Sequence, residues 1–236
     1  MSVTALRFSR LHKLIGLVIG LQVLFWTASG VFFTLFPIET IRGDPWRPAI
    51  AHGNLDEMQT EVSAAQALTG IDAPVQSLTL KPFLNMPVWV IETSSGRQMV
   101  DATTGAVRSP LSGDDIDALR DRFGSAPEGL GTFAVRYLIS ENPLREYGGP
   151  LPAWVIEYEP RKQRIYVDAM TGDVRAVRTT RWRIFDILWR FHIMDFTGED
   201  RIDSWWMKLA SMLGLTLVLS GFVLLVDRAR KGRLLG

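Results

Sequence analysis

The 236-residue chain carries 26 basic and 25 acidic side chains and no cysteine. This balance lacks the excess positive charge typical of nucleic-acid-binding proteins, so nucleic acid is not expected as a partner. Without cysteine there can be no disulfide, thiolate metal site or cysteine-bound iron–sulfur cluster. Any metal would need histidine, methionine or carboxylate ligands.

Two charge-free segments predict membrane-spanning helices. Residues 14–36 are long enough, at about 1.5 Å per residue, to cross a hydrocarbon core of roughly 30 Å. A cleaved signal peptide is the alternative, but its apolar region is shorter and ends at small residues, whereas Leu35, Phe36 and Pro37 follow here. The second charge-free segment, 209–226, is extended to a predicted span at 205–226 by Trp205 and Trp206, whose rings suit the lipid headgroup layer.

Charge flanking the two segments predicts the topology. Basic side chains lie in both tails, 1–13 and 227–236: Arg7, Arg10, Lys13, Arg228, Arg230, Lys231 and Arg233. The positive-inside tendency makes both tails cytoplasmic and the part between them extracytoplasmic, which is the periplasm in a Gram-negative host. Small residues on the two segments, such as Gly16, Gly20 and Gly214, favour packing of the two helices against each other, with a homodimer face as the alternative.

The segment 37–54 reads as a linker. It holds three prolines and two glycines, which stop a helix and cannot form a central strand. His52 lies in this linker, and we expect it to be exposed and without a role.

An internal repeat follows, with residues 87–107 matching residues 152–174. Both copies contain Trp-Val-Ile-Glu, at 89–92 and 154–157, and Val-Asp followed by Thr-Gly, at 100–105 and 167–172. Alternating apolar residues predict strands, and the Thr-Gly step predicts a tight turn whose glycine has a positive φ. A short helix is expected before each copy, at 61–68 and 114–123. The fold class is therefore α+β, with units at 55–110 and 111–180 that share apolar surface as one bilobed module.

Four carboxylates recur in register in the two copies: Asp101, Asp168, Glu92 and Glu157. A repeated carboxylate can mark a binding site. The positions fit turn-capping aspartates and solvent-facing strand glutamates better, so we do not assign them to a site.

Residues 181–204 are expected to form an interfacial amphipathic helix and loop. Helical spacing places Phe185, Trp189, His192 and Phe196 on one face. Charged residues elsewhere in the segment, Asp186, Arg190 and Asp195, oppose deep insertion into the membrane.

His192 and His12 are the candidate cofactor ligands. Two neutral histidines can hold one haem b, but His12 lies at the cytoplasmic end of the first span and His192 on the outer side, separated by roughly 30 Å of bilayer. A shared haem would need a second ligand from another membrane subunit or from a second copy of the chain. The alternatives are that His192 packs among aromatic rings and that His12 is an interfacial basic residue.

These motifs resemble the PepSY-domain proteins, and more narrowly the PepSY-associated transmembrane proteins of bacterial inner membranes. The likeness rests on the Val-Asp-x-x-Thr-Gly-x-Val type sequences at 100–107 and 167–174. It also rests on residues in and before the spans: Leu11, His12, Ser29, Gly30, Arg181 or Arg183, Leu188, His192, Asp195, Phe196, Ser220 and Gly221. Larger relatives with more spans are associated with ferric-siderophore reduction and envelope redox work. Soluble PepSY modules resemble peptidase propeptides or inhibitory modules. This chain has two expected spans, which leaves a complete electron path in doubt.

The resemblance implies two extracytoplasmic PepSY-like repeats between two membrane spans. No nucleophile elbow, P-loop, His-Glu-x-x-His motif or dinucleotide fingerprint is present, so we do not expect an enzyme on its own. The expected function is an auxiliary inner-membrane protein that serves a redox or iron-uptake system through contacts with another membrane or periplasmic protein. An anchored peptide-binding module, inhibitor or assembly factor is the alternative, as is a structural subunit of a membrane complex.

Overall fold

The computed structural model describes residues 3–50, 52–123, 131–198 and 200–230, without the side chains of residues 3–15, 220, 223–225, 227 and 228. The chain is mixed α+β with two antiparallel sheets. It divides into a helical unit, Met1–Pro37 with Ile184–Gly236, and a sheet unit, Ile38–Arg183. The expected cytoplasmic tails lie largely outside the described side chains.

Helices make up the first unit. Helix α1 spans Val3–Leu35 and the last helix, α6, spans Trp205–Arg230. Within the described part of the chain, Gly16–Leu35 is the one helical segment long and apolar enough to cross a membrane, and the apolar segment Trp205–Leu219 is shorter.

Helices α1 and α6 contact each other through a small residue on α6. Ile19 and Ala210 are buried, and a Cβ added to Gly214 would lie 3.8 Å from Ile19 and 3.9 Å from Trp26. A Cβ added to Gly16 or Gly20 would meet nothing within 4 Å. Gly214 therefore lies in the helix contact, as expected, whereas Gly16 and Gly20 do not.

The predicted linker is more ordered than its prolines suggest. It holds helix α2, Ile38–Arg42, and a short 3-10 turn at Asp44–Trp46, and a second 3-10 turn follows it at Leu55–Glu57. Ile41 anchors α2 because its side chain is buried.

The first sheet has the order β1-β2-β3, with β1 at Val75–Phe83, β2 at Met86–Thr93 and β3 at Gly96–Asp101. Helix α3 precedes it at Ala64–Ala67, where Ser63 and Gln66 form a capping box. The helix is shorter than the expected 61–68 because the backbone N–H groups of Glu61 and Val62 both donate to the carbonyl of Ala102.

The second sheet has the order β4-β5-β6-β7, with β4 at Thr132–Ile139, β5 at Ala153–Glu159, β6 at Gln163–Asp168 and β7 at Val174–Arg178. Helix α4 precedes it at Gly113–Asp121, capped by Ser112 and Asp115. Helix α5 follows it at Thr180–His192.

Matching contacts link each sheet to the helix before it. The indole of Trp89 donates to the carbonyl of Val62 at 2.8 Å, and that of Trp154 donates to the carbonyl of Leu111 at 2.9 Å. Each acceptor immediately precedes a capping serine. The turn glycines Gly105 and Gly172 have φ of 77° and 73°, which confirms the predicted left-handed turn.

Both sheets contribute to one apolar core, in which helix α4 also takes part. Its buried members are Phe83, Val88, Val90 and Met99 from the first sheet, Ile116 and Leu119 from α4, Leu111 and Phe123 from the segments that flank α4, and Ile156, Tyr158, Ile165, Val167 and Val177 from the second sheet. The two repeats are thus joined by shared apolar surface.

Candidate functional site

His192 lies in an aromatic pocket on the face of α5 that packs against α1. Its ring stacks on Trp189 with centroids 6.1 Å apart and an interplanar angle of 4°, and it lies 5.6 Å from Phe33 and 6.5 Å from Trp26. We call these three rings and Ser29 the histidine pocket. Phe185 and Trp189 lie on this face as predicted, but α5 ends at His192, so Phe196 lies in the following loop and is exposed.

Ser29 fixes the orientation of the imidazole. Its Oγ lies 2.7 Å from His192 Nδ1 and also 2.7 Å and 3.1 Å from the carbonyl oxygens of Phe25 and Trp26. A hydroxyl has one hydrogen, which these carbonyls can accept, so we assign the His192 proton to Nδ1, donating to Oγ. The lone pair of Nε2 is then available as a ligand or proton acceptor.

The end of α5 lies deeper along α1 than the sequence suggested. Trp26 donates to the backbone oxygen of His192 at 2.7 Å, and Gln22 donates to that of Phe191 at 3.3 Å. Ser29 precedes the end of the apolar segment by six residues, or roughly 9 Å at about 1.5 Å per residue. These contacts place the end of α5 beside the apolar segment of α1, and the interfacial position of this helix stays a prediction.

The loop after α5 explains how Asp195 is accommodated there. Its carboxylate accepts from the backbone N–H groups of Thr197, Gly198 and Asp200 at 2.8–3.2 Å, and from the Thr197 hydroxyl at 3.1 Å. These donors solvate the buried charge inside the loop, so its desolvation is compensated.

His12 and His192 are not brought together in one chain. His12 lies on α1, and the 17 residues from it to Ser29 correspond to roughly 25 Å along the helix axis. Within the described residues no group of three or more His, Cys, Asp or Glu could hold a metal ion. His12 and His192 are therefore too far apart along α1 to ligate one haem within a single chain.

His52 departs from its expected role as a free surface side chain. It is half-buried, its ring stacks on Phe83 at 5.7 Å, and its Nδ1 accepts from the Leu84 backbone N–H at 3.4 Å. Burial, with Lys81 and Arg122 nearby, lowers the pKa of His52 below its usual value. The neutral ring is thus part of the packing of the first sheet.

The repeated carboxylates cap their turns, but they are not equivalent. Asp101 accepts from the backbone N–H groups of Thr103 and Thr104 at 2.8 and 2.9 Å, as predicted. Asp168 accepts from Met170 at 2.9 Å and is also fully buried between the guanidinium groups of Arg97 and Arg175. Asp168 therefore ties the first sheet to the second, which the sequence did not indicate.

The glutamates of the repeat are not solvent-facing, contrary to expectation. Glu92 accepts from Ser77 at 2.8 Å, and Glu157 pairs with Arg164 at 2.6 Å. Both side chains are partly buried. Across the second sheet, Glu157 and Arg164 lie directly opposite each other, and Glu157 faces Val135 of β4.

Strand β4 is one of the two edge strands of the second sheet, since among the described residues it pairs with β5 alone. At the other edge, β7 is contacted by helix α2. We therefore call β4 the free edge. Three apolar side chains of this edge are exposed: Phe133 by 39%, Val135 by 46% and Leu138 by 43%. Because Phe133 and Leu138 pair with Tyr158 and Trp154 whereas Val135 pairs with Glu157, they lie on both faces of the sheet. A long apolar edge with unpaired backbone groups is a template for a further strand.

A polar cluster lies behind this edge on the Val135 face. Glu146 accepts from Arg164 at 2.8 Å, from Arg183 at 2.9 Å and from the Tyr166 hydroxyl at 2.8 Å. Burial alone would raise the pKa of the Glu146 carboxyl, but these three donors outweigh it and keep the pKa below its usual value. Glu146 therefore stays ionised between the guanidinium groups of Arg164 and Arg183.

Comparison with protein-family models, with curated proteins and with solved structures finds no match. The functional argument therefore depends on the histidine pocket and the free edge.

Proposed function

We propose that this chain is an auxiliary protein of the bacterial inner membrane whose sheet unit binds an extended segment of an envelope partner at the free edge β4. In this proposal the module consists of two PepSY-like repeats and is periplasmic. Two membrane spans anchor it, with both termini in the cytoplasm, and the partner belongs to a membrane redox or iron-uptake system.

The free edge is the observation that carries the proposal. Strand addition uses backbone hydrogen bonds for affinity and alternate side chains for specificity, and β4 offers both along eight residues. Exposed apolar side chains on its two faces match a partner strand whose residues alternate between those faces. Charged residues and proline commonly prevent strand addition, and β4 carries no proline and one charged residue, Arg136, which pairs with Asp117 of α4 at 2.7 Å.

The matched contacts of the two repeats support the duplicated module. The two tryptophan indoles, the two capping boxes and the two turn glycines occupy equivalent places before, within and after their hairpins. The anchor is supported by the apolar segment Gly16–Leu35 and by the basic residues that precede it.

Val135→Lys tests the binding edge. A lysine at the centre of β4 places a charge where the partner strand would lie, so we expect the amount of partner that copurifies with the tagged full-length chain to fall about tenfold, equivalent to about 1.4 kcal/mol. The unfolding midpoint should stay within roughly 2 °C, because surface substitutions of this kind have small effects on stability.

Val75→Lys is the matched control. Val75 begins the outer strand of the first sheet and is 42% exposed, close to the exposure of Val135. This change should leave partner recovery unaltered. Equal losses in the two variants, or no loss in either, would contradict binding at β4.

Haem ligation by His192 is a second candidate, and the Ser29 contact favours it. A hydrogen bond at Nδ1 orients an axial histidine and leaves Nε2 free, which is the usual arrangement around ligating histidines. Because one chain offers no opposing histidine, the other ligand would come from a membrane partner or a second copy of the chain.

The visible spectrum of the protein purified in mild detergent tests this candidate. We expect a Soret band in the wild type that is lost in His192→Ala and retained in His52→Ala, whose histidine lies in the sheet unit. His12→Ala shows whether that residue supplies the second ligand. Haem ligation is excluded if the wild type has no Soret band or if His192→Ala leaves it unchanged.

A further inference from the structure

Arg190 carries a buried hydrogen-bond donor that nothing in the described chain satisfies. Its Nε is inaccessible to solvent and has no hydrogen-bond partner. The side chain lines a cavity of about 120 Å³ together with Ile187, Phe191, Asp195 and Phe196. An unpaired guanidinium donor among apolar side chains is costly, and a bound anion would remove that cost.

Asp195 also lines this cavity, but it is engaged elsewhere. Its two carboxylate oxygens accept from backbone and hydroxyl donors of its own loop, at Thr197, Gly198 and Asp200. It therefore stabilises the loop turn, and the Arg190 Nε stays without a hydrogen-bond partner.

An apolar groove adjoins the Arg190 cavity. Its volume is about 400 Å³, and it runs between α1 and α6, with Val18, Phe25 and Leu213 among its walls. Phe196 lines both the groove and the Arg190 cavity. An occupant of both spaces therefore has an anionic group joined to an apolar chain.

Trp205 and Trp206 indicate the level of this site relative to a bilayer. They line a third cavity, which shares Asp195 and Phe196 with the Arg190 cavity. Tryptophan rings prefer the headgroup layer, and the charged loop between Asp195 and Asp203 also requires a polar environment. The Arg190 guanidinium is thus near the depth at which lipid phosphates lie, and the groove extends toward the acyl chains.

We propose that Arg190 binds the phosphate of an anionic phospholipid whose acyl chain occupies the groove between α1 and α6. A guanidinium donates to phosphate oxygens through two parallel N–H groups, so a rotation of the Arg190 side chain toward the bound phosphate would give Nε its missing partner. The bound phospholipid would be a structural lipid in the leaflet that contains Trp205 and Trp206. It depends on insertion of the helical unit in a membrane, which is part of the proposed function.

Phosphatidylglycerol retained by the full-length protein tests this site. The protein is extracted from membranes in dodecyl maltoside, supplied with phosphatidylglycerol and analysed by native mass spectrometry. We expect about one retained phosphatidylglycerol per wild-type chain and at least a tenfold lower fraction of lipid-bound Arg190→Gln. Arg190→Lys should recover much of the binding, since it keeps the charge, and so excludes a merely unfolded variant.

Arg201→Gln is the matched control, because Arg201 lines the neighbouring cavity but is exposed and paired with Asp203. It should bind phosphatidylglycerol like the wild type. Three results would overturn the site: undiminished binding by Arg190→Gln, equal binding of phosphatidylcholine, which would reflect the groove alone, or displacement of the lipid by millimolar inorganic phosphate. Recovery of the chain in the membrane fraction separates this test from the anchor, because a chain absent from membranes contradicts the proposed function instead.

Discussion

Replacing Asp168 by asparagine should lower the unfolding midpoint of the protein by roughly 10 °C, which corresponds to about 3 kcal/mol for a domain of this size. The carboxylate is fully buried and pairs with Arg97 and Arg175. Asparagine keeps an oxygen that can accept from the Met170 backbone N–H, so the turn remains capped. The loss would therefore come from leaving Arg97 without its counter-charge and Arg175 with Asp173 alone, at 3.5 Å.

Asp101→Asn is the control for this effect. Asp101 occupies the same place in the first repeat and caps its turn, but among the described residues it forms no ion pair. We expect a change of less than roughly 3 °C. Thermal unfolding followed by tryptophan fluorescence in detergent measures both variants. Similar shifts at the two positions would show that Asp168 acts only as a turn cap.

Gly172→Ala should be nearly as damaging, for a steric reason. Gly172 has φ of 73°, and a Cβ added there would overlap the ring of Phe83, which is fully buried in the shared core. The left-handed backbone costs an alanine about 1–2 kcal/mol, and displacement of a core ring adds about 1–3 kcal/mol. Together they predict a midpoint lower by roughly 10 °C.

The equivalent glycine of the first repeat separates the two contributions. Gly105 has φ of 77°, but a Cβ added there would lie 3.7 Å from Val62, an ordinary contact. Gly105→Ala should therefore show the backbone strain alone, with a midpoint lower by about 3–5 °C. If the two alanine variants unfold at the same temperature, the turn of the second repeat does not pack against Phe83 as described.

Local patterns in the sequence predicted the turns and strands well. The Thr-Gly steps require a positive φ that glycine adopts freely, and both turns form at Gly105 and Gly172. The Trp-Val-Ile-Glu segments lie in strands, with their valine and isoleucine buried, and pair with the strands that end in Val-Asp. These features depend on neighbouring residues, so their signal is contained in the repeat itself.

The same local patterns could not predict ion pairs between residues that are distant in the sequence. Asp101 and Asp168 have the same local context, yet only Asp168 meets an arginine of the other sheet, 71 residues away in the chain. Nothing in either repeat distinguishes them. Glu157 was wrongly expected to face solvent because the polar cluster around Glu146 forms from segments that are distant in sequence.

The candidate sites show the same division. The aromatic face of α5 was readable from its spacing, and His192 lies on it. The level along α1 at which His192 lies could not be predicted, because the backbone amides that solvate Asp195 come from a loop whose conformation the sequence did not specify. The apolar residues of β4 occupy both odd and even positions, which lie on opposite faces of the sheet. Only the order of the strands shows that β4 is at an edge.

Crosslinking in living cells tests the central claim, that the free edge β4 binds a partner, most directly. A photoreactive phenylalanine derivative is placed at position 135 or, as the control, at position 75 of the full-length chain, and the membrane fraction is examined after illumination. Binding at β4 predicts a discrete crosslinked product from position 135 that is absent from position 75 and is lost when Leu138→Lys is added. No product at position 135, or the same product from both positions, would contradict the proposed role of this edge.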